Sequence, residues 1–287
     1  MSATVQPAPD TRPHAGRPVH PAPAPHAPLS LKAVALPVEH GGWGMLAEPL
    51  VMGLVLAPTL AGLGLTIAAL GAFLVRHPLK LALSDWRRGT RYPRTVLAAK
   101  VAAAYSLCAL AGLALAAWHA PAAAWLPVLL AAPLGLVQLW YDARLQGRQL
   151  LPELLGGVAL GAGASALMLA GGWAMGAALA AWGLLAAKAV ASVLYIRARL
   201  RLDRDQPASR WPGLLTHVAA LGLAVALALR GWGPWLGVAA MALLFARAVH
   251  GLSPWHRRVR PQVVGFTELA YGMATAASIA AGYLAGW

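Results

Sequence analysis

Between positions 39 and 48 the chain places Glu39, His40, Trp43 and Glu48 at the mouth of its first apolar run, within LPVEHGGWGMLAEPLVMG (residues 36–53). Ionisable side chains are costly in hydrocarbon, so such a cluster at a membrane entrance points to a functional site. Glu48 carries most of that weight, because it lies more than a helical turn inside the run. Pro37, the paired glycines and an interfacial Trp43 would also describe an ordinary helix start. Lys188, Arg247 and Glu268 stand alone in later apolar runs, and His217 in another. A charge at such depth needs a partner and should face the interior; Lys188–Glu48 and Arg247–Glu268 are plausible pairs, though the sequence does not assign partners, and a purely structural pair stands as the alternative to a polar cavity.

Two charged stretches could hold an anion. RHPLKLALSDWRRGTRYPR (76–94) packs six basic groups around one acid, Asp85, and YIRARLRLDRDQ (195–206) closes the sixth apolar run. Arginine forks bind phosphate or carboxylate oxygens bidentately, so Arg76, Arg88, Arg197 and Arg199 are candidates for an anionic head group. If the helix continues through the second stretch, Tyr195, Arg199 and Leu202 share one face, and Arg197 and Arg201 the next. A snorkelling basic collar is the structural alternative. No HExxH and no Cys/His ligand spacing occurs, so no tight zinc site is expected. Magnesium would need convergent carboxylates, for which the loops offer only Asp85, Asp142, Glu153, Asp203 and Asp205.

The elements that must position these residues are transmembrane helices. Of 287 residues, 59% are hydrophobic and 11% charged, against about 25% charged in soluble domains. Apolar runs near 20 residues recur, which makes this a polytopic, all-α membrane bundle. Nine spans are predicted, at about 43–58, 59–75, 95–118, 122–140, 152–170, 173–196, 212–229, 234–250 and 263–286. The first two are the shortest for their task. Residues 1–36 form a Pro/Ala/His-rich tail, expected to be disordered, and 37–287 the helical domain. His14, His20 and His26 recur in that tail, with nothing to fix them as ligands. No cleavable signal precedes the first span.

Loop charge sets the orientation. With the N-terminus inside, nineteen of the 23 Lys/Arg fall in inner segments and only Arg230 in an outer turn. That asymmetry puts the N-terminus in the cytoplasm and the C-terminus at Trp287 outside. The net charge of +14 is therefore a topology signal, and its scatter over short loops argues against nucleic acid. The lone Cys108 reads as a small packing residue. In the fifth span Gly157, Gly161 and Ser165 recur every four residues, a helix-packing device. Heavy Ala, Leu, Gly and Arg usage accords with a bacterial source. Nothing in the pattern fixes an oligomeric state.

The segment PVEHGGWGMLAEPLVMGL resembles the N-terminal signature of the YwiC-like family of bacterial integral membrane proteins, P-x-x-H-G-x-W-x-M-L-x-x-P. SVLYIRARLR, FARAVHGL and VGFTELAYGM resemble its later helices. The likeness implies a protein of the bacterial cytoplasmic membrane, in a family with some respiratory association and no established activity. A more distant likeness is to UbiA-type prenyltransferases, whose nine helices carry catalytic loops after the second and sixth. There this chain has 76–94 and 197–211, with Asp85-Trp86-Arg87-Arg88 and Asp203-Arg204-Asp205 in place of aspartate-rich motifs. Both departures remove carboxylates and add arginines. The functional expectation is an amphipathic lipid or isoprenoid-like anionic ligand, with membrane lipids as surroundings, in a cytoplasm-facing intramembrane cavity. Its site residues are His40, Trp43, Glu48, Arg76, Asp85, Arg88, Lys188, Tyr195, Arg197, Arg199, Arg247 and Glu268. A prenyl-transfer version would bring in magnesium through Asp85 and Asp203. The rival readings are a transporter, with Lys188, Arg247 and Glu268 along its path, and a non-catalytic membrane subunit.

Overall fold

The computed structural model describes residues 30–37, 40–144 and 146–286. Among the described residues nine long helices follow one short one: α1 (Leu31–Ala35), α2 (His40–Leu56), α3 (Leu60–Arg87), α4 (Pro93–His119), α5 (Trp125–Ala143), α6 (Leu150–Ala170), α7 (Met175–Leu202), α8 (Trp211–Leu229), α9 (Trp235–Gly251) and α10 (Pro261–Ala285). A 3-10 turn, Ala122–Ala124, leads into α5. There is no strand among the described residues. The all-helical membrane bundle read from the apolar runs is thus the fold, and α2 to α10 fall on the nine predicted spans.

Seven of these, α3 to α8 and α10, are long and apolar enough to cross a bilayer. Helices α2 and α9 have 17 residues each, about 25 Å at 1.5 Å per residue, somewhat short of a ~30 Å hydrocarbon core. The sequence reading located the shortage in the first two spans; it belongs to the first and the eighth. The second span instead runs to Arg87, so most of the expected charged loop 76–94 is helix. Its termination waits for a residue that can turn the chain, and Gly89 supplies it at φ +67°. Helix α7 likewise runs to Leu202. Leu31–Ala35, assigned to the tail by composition, coil into one turn whose Val34 is buried beside Ala82 and Ala98. The histidines of the tail lie outside the described residues.

Helices α2, α6, α7, α8, α9 and α10 each pack on the next, and α10 returns to α2, which closes a ring of six. One core joins them all, through Met52, Met168, Leu184, Ala220, Met241 and Ile279. Helices α3 and α4 form a tight hairpin beside the ring, and α5 leans on α6. The α3–α4 crossing is a backbone contact. A Cβ on Gly64 would lie 2.6 Å from the Ala116 nitrogen, and one on Gly112 would lie 2.5 Å from the Ala68 nitrogen. Dispersion and close backbone approach, rather than hydrophobic segregation, hold helices together in lipid, and small residues permit both. In α6, Gly157 and Gly161 meet Ala189, Leu185 and Trp182 of α7, as their spacing indicated. Cys108 departs from expectation: it is exposed on α4 instead of buried in a helix contact.

The outer surface is apolar, with exposed leucines along α4 and α5. Exposed tryptophans mark both ends: Trp86, Trp140, Trp211 and Trp255 at one, Trp118, Trp232 and Trp235 at the other. Such paired belts sit at the two membrane–water interfaces. The first belt shares its end with nearly all the arginines, here called the basic end.

Candidate functional site

Helix α7 positions most of the site. Its 28 residues carry Lys188, Ser192, Tyr195, Ile196, Arg197 and Arg199 from mid-helix to the basic end. Lys188 Nζ donates to both carboxylate oxygens of Glu48, at 2.7 and 2.8 Å. Both residues are about 5% exposed or less. Glu48 directly precedes Pro49, whose missing N–H and ring interrupt the helical ladder at that level of α2. On the third side stands Gly272 of α10, where an added Cβ would lie 1.8 Å from Glu48 Oε1 and 2.8 Å from Lys188 Nζ. The ion pair occupies the volume a side chain would have taken.

A second pair lies beside the first. Arg247 Nη1 of α9 donates to Glu268 Oε1 of α10, and the guanidinium lies over the rings of Tyr195 and Tyr271, 4.3 and 5.0 Å from their centroids. Tyr195 also meets His217 of α8 edge-on at 6.1 Å, and His217 Nδ1 contacts the Gly213 carbonyl oxygen at 2.7 Å. Both pairings that the sequence made plausible are therefore present. Each ties two helices of the ring, where an unpaired charge would be expensive.

Glu48, Lys188 and Glu268 line one chamber of about 450 Å³ between α2, α7 and α10, with Met45, Ser192, Ile196 and Phe266 among its walls. A second chamber of about 280 Å³ adjoins it toward α3, α5 and α6, lined by Phe73, Arg76, Gln138, Glu153 and Arg197. Gly41, Met45, Arg148 and Ile196 border both. In the second chamber Arg76 donates from Nε and Nη2 to Asp142 at 2.9 and 2.5 Å. Arg197 donates from Nε to Glu153 at 2.9 Å and from Nη2 to the Arg148 carbonyl at 2.5 Å. A guanidinium has five N–H donors, so Arg197 keeps Nη1 beyond these bonds.

Other expected site residues stand elsewhere. Asp85 is only 2% exposed and receives Arg94 Nε and Nη2 at 3.1 and 2.8 Å and Thr95 Oγ1 at 2.7 Å. Its carboxylate clamps the start of α4 and lines neither chamber. Arg199 Nη1 donates to the Gly251 carbonyl at 2.6 Å, Nη2 to that of Arg257, and Nε lies 3.3 Å from Asp203. It satisfies carbonyls freed where α9 ends instead of reaching a ligand. Asp203 lies between Arg199 and His256, 3.2 Å from the latter. Among the described residues no group of three His, Cys, Asp or Glu side chains could hold a metal. Arg88 caps α3 and borders a smaller hollow. Trp43 packs edge-on against Phe73, 5.2 Å between centroids, with Nε1 3.4 Å from the Pro37 carbonyl oxygen. Glu39 and the His40 side chain lie outside the described residues.

Arg148, Gln138 and Ser192 were missed from the sequence. Arg148 counted only as one more loop cation, and nothing singled out Gln138 or Ser192; only the fold brings them to a chamber wall.

Fold and site together define a polytopic helical membrane protein with a charged, partly apolar cavity inside the bundle. Residues 36–168 match the family described as YwiC-like protein, a stretch of somewhat less than half the chain that runs from α2 through nearly all of α6. That stretch, which holds the HGGWGML block, is similar to the family. The α7, α9 and α10 segments that resemble later family helices lie beyond the matched residues. No curated protein and no solved structure matches the chain.

Proposed function

We propose that the chain binds an amphipathic ligand with an anionic head, lipid or isoprenoid-like, in the two adjoining chambers at its basic end. The observation that carries this reading is their shared wall: Met45, Arg148 and Ile196 border both a basic chamber and a larger, mostly apolar one. Arg197, with Arg76 beside it, would receive the head as charge-assisted hydrogen bonds. The apolar part would lie along Met45, Ile196, Val264 and Phe266. The neutralised Glu48–Lys188 pair would form the floor, where a polar tip of the ligand can be received without a net charge. The excess of Lys/Arg at this end supports a cytoplasmic placement of the mouth in a bacterial inner membrane. Prenyl transfer finds less support, because Asp85 and Asp203 are already engaged by basic partners outside the chambers.

The test is mass-spectrometric identification of amphiphiles that remain with the protein after gentle solubilisation and delipidation. A phosphate- or carboxylate-bearing amphiphile should co-purify with the wild-type chain. Arg197→Gln should lower its occupancy by about tenfold, the worth of one charge-assisted bond. Equal recovery from wild type and variant would remove the head-group assignment, and recovery of bulk lipids alone would remove the reading altogether.

A further inference from the structure

A third hollow, of about 110 Å³, lies at the basic end between α3 and α5. Lys80, Ser84, Arg87 and Arg88 of α3 wall it on one side, Asp142 and Ala143 of α5 on the other. Spacings of four, seven and eight residues put one hydroxyl and three cations along a single face at the end of α3. The carboxylate in the wall is already spent, since Arg76 holds Asp142 through two donors. Asp85, the nearest acid on the same helix, is held by Arg94 and Thr95. Arg87 is fixed across the gap by donating to the Ala143 carbonyl oxygen. Lys80 and Arg88 have no carboxylate within ion-pair distance among the described residues. Three cations around so small a space repel one another, and an anion placed among them relieves that repulsion.

The surroundings say where the anion comes from. Trp86 and Trp140, both half-exposed, place the hollow at the level of lipid head groups. Arg144 stacks on Trp140 at 3.7 Å. Toward the membrane interior the same helices expose Leu79, Leu136 and Leu139, an apolar surface suited to acyl chains. Basic hollows between transmembrane helices are recurrent sites for anionic lipid heads.

We propose that this hollow binds a phosphate group at the bilayer interface, carried by an anionic phospholipid. Lys80 and Arg88 supply the charge, and Ser84 and Arg87 supply directed donors. The site is separate from the two chambers and does not depend on what they bind.

The full chain, delipidated in detergent, would be titrated with phosphatidylglycerol, with phosphatidylcholine of the same acyl chains, and with inorganic phosphate. Bound lipid would be counted by native mass spectrometry. Phosphatidylglycerol should be retained about tenfold better than phosphatidylcholine, and Lys80→Gln/Arg88→Gln should abolish the difference. Arg201→Gln/Arg204→Gln removes equal charge from the end of α7 and should leave it intact. Ser84→Val alone, a milder change to the same wall, should weaken retention severalfold. Displacement of the lipid by millimolar phosphate, with protection against heat by phosphate alone, would identify the same site with free phosphate as the ligand. Equal retention of the two lipids, or equal loss in the two double variants, would show diffuse surface charge and overturn the proposal.

Discussion

At the scale of the residue, the Glu48–Lys188 pair governs the interior. Removing one partner of a buried pair leaves the other charge unmatched, which costs about 3–5 kcal/mol, whereas replacing both by apolar groups of similar size is often neutral. Lys188→Met and Glu48→Leu should therefore each lower the thermal midpoint of the detergent-solubilised protein strongly, and the double variant should recover most of the loss. Additive losses would mean that the two groups do not act as a pair. Gly272 belongs to the same unit, because the carboxylate fills its side-chain space. Gly272→Ala should cost about 1–3 kcal/mol as overpacking in the wild-type background, and clearly less in the Glu48→Leu/Lys188→Met background, where no ion pair need be displaced. That these ions need partners inside the bundle was legible in the sequence; which of them meet was decided by the fold. The part played by Gly272 was not legible, because a glycine in ELAYGM carries no mark of what will occupy its missing side chain.

At the scale of the element, one of the two acids that a prenyl-transfer version would give to magnesium acts as a helix clamp. Asp85 ends α3 while holding Arg94 and Thr95 at the start of α4, across the turn at Gly89. Asp85→Asn should cost about 1.5–3 kcal/mol, the worth of a hydrogen bond to a charged group, and should make residues 88–92 more open to proteolysis. It should leave the amphiphile recovered from the chambers unchanged; loss of that amphiphile at unchanged stability would return Asp85 to the site. Helix number and rough extent followed directly from the apolar runs, for α2 as for α10. What misled was the assumption that charge ends a span. Helix α3 continues for about three turns beyond its apolar window and α7 for somewhat under two, since arginine stems can lie along a helix while their heads reach water. The residues of 76–94 and 195–206 are therefore sorted by helical face. Arg76 and Arg197 turn to a chamber, Arg199 to the end of α9, and Arg88 to the outer hollow. Sequence spacing separated Arg197 from Arg199, but only the neighbouring helices decide which face meets a cavity.

At the scale of the whole molecule, the two chambers, the outer hollow and all but a few of the arginines share one end, while the far end carries Arg230 and bare aromatic rims. Cations near short loops are retained on the cytoplasmic side, so the basic end should face the cytoplasm and the chambers should draw on ligands from the inner leaflet or the cell interior. Single cysteines decide this. Cys108, exposed along α4, is first replaced by serine, and a cysteine is then placed at Ser209 before α8 or at Ala122 in the turn before α5, both exposed. A membrane-impermeant maleimide should label Ala122→Cys in intact cells, or spheroplasts where an outer membrane intervenes, and Ser209→Cys only in inverted vesicles. The reverse pattern would turn the molecule over. Labelling of both positions from one side would mean that α5, α6 and α7 do not make an odd number of crossings, and short helices such as α2 and α9 would then need the same scrutiny. With the expected pattern, the neutral floor of the larger chamber lies beneath a basic mouth on the side where the positive-inside rule gathers cations. An anionic amphiphile in that leaflet would then meet Arg197 before its apolar part reaches Glu48 and Lys188.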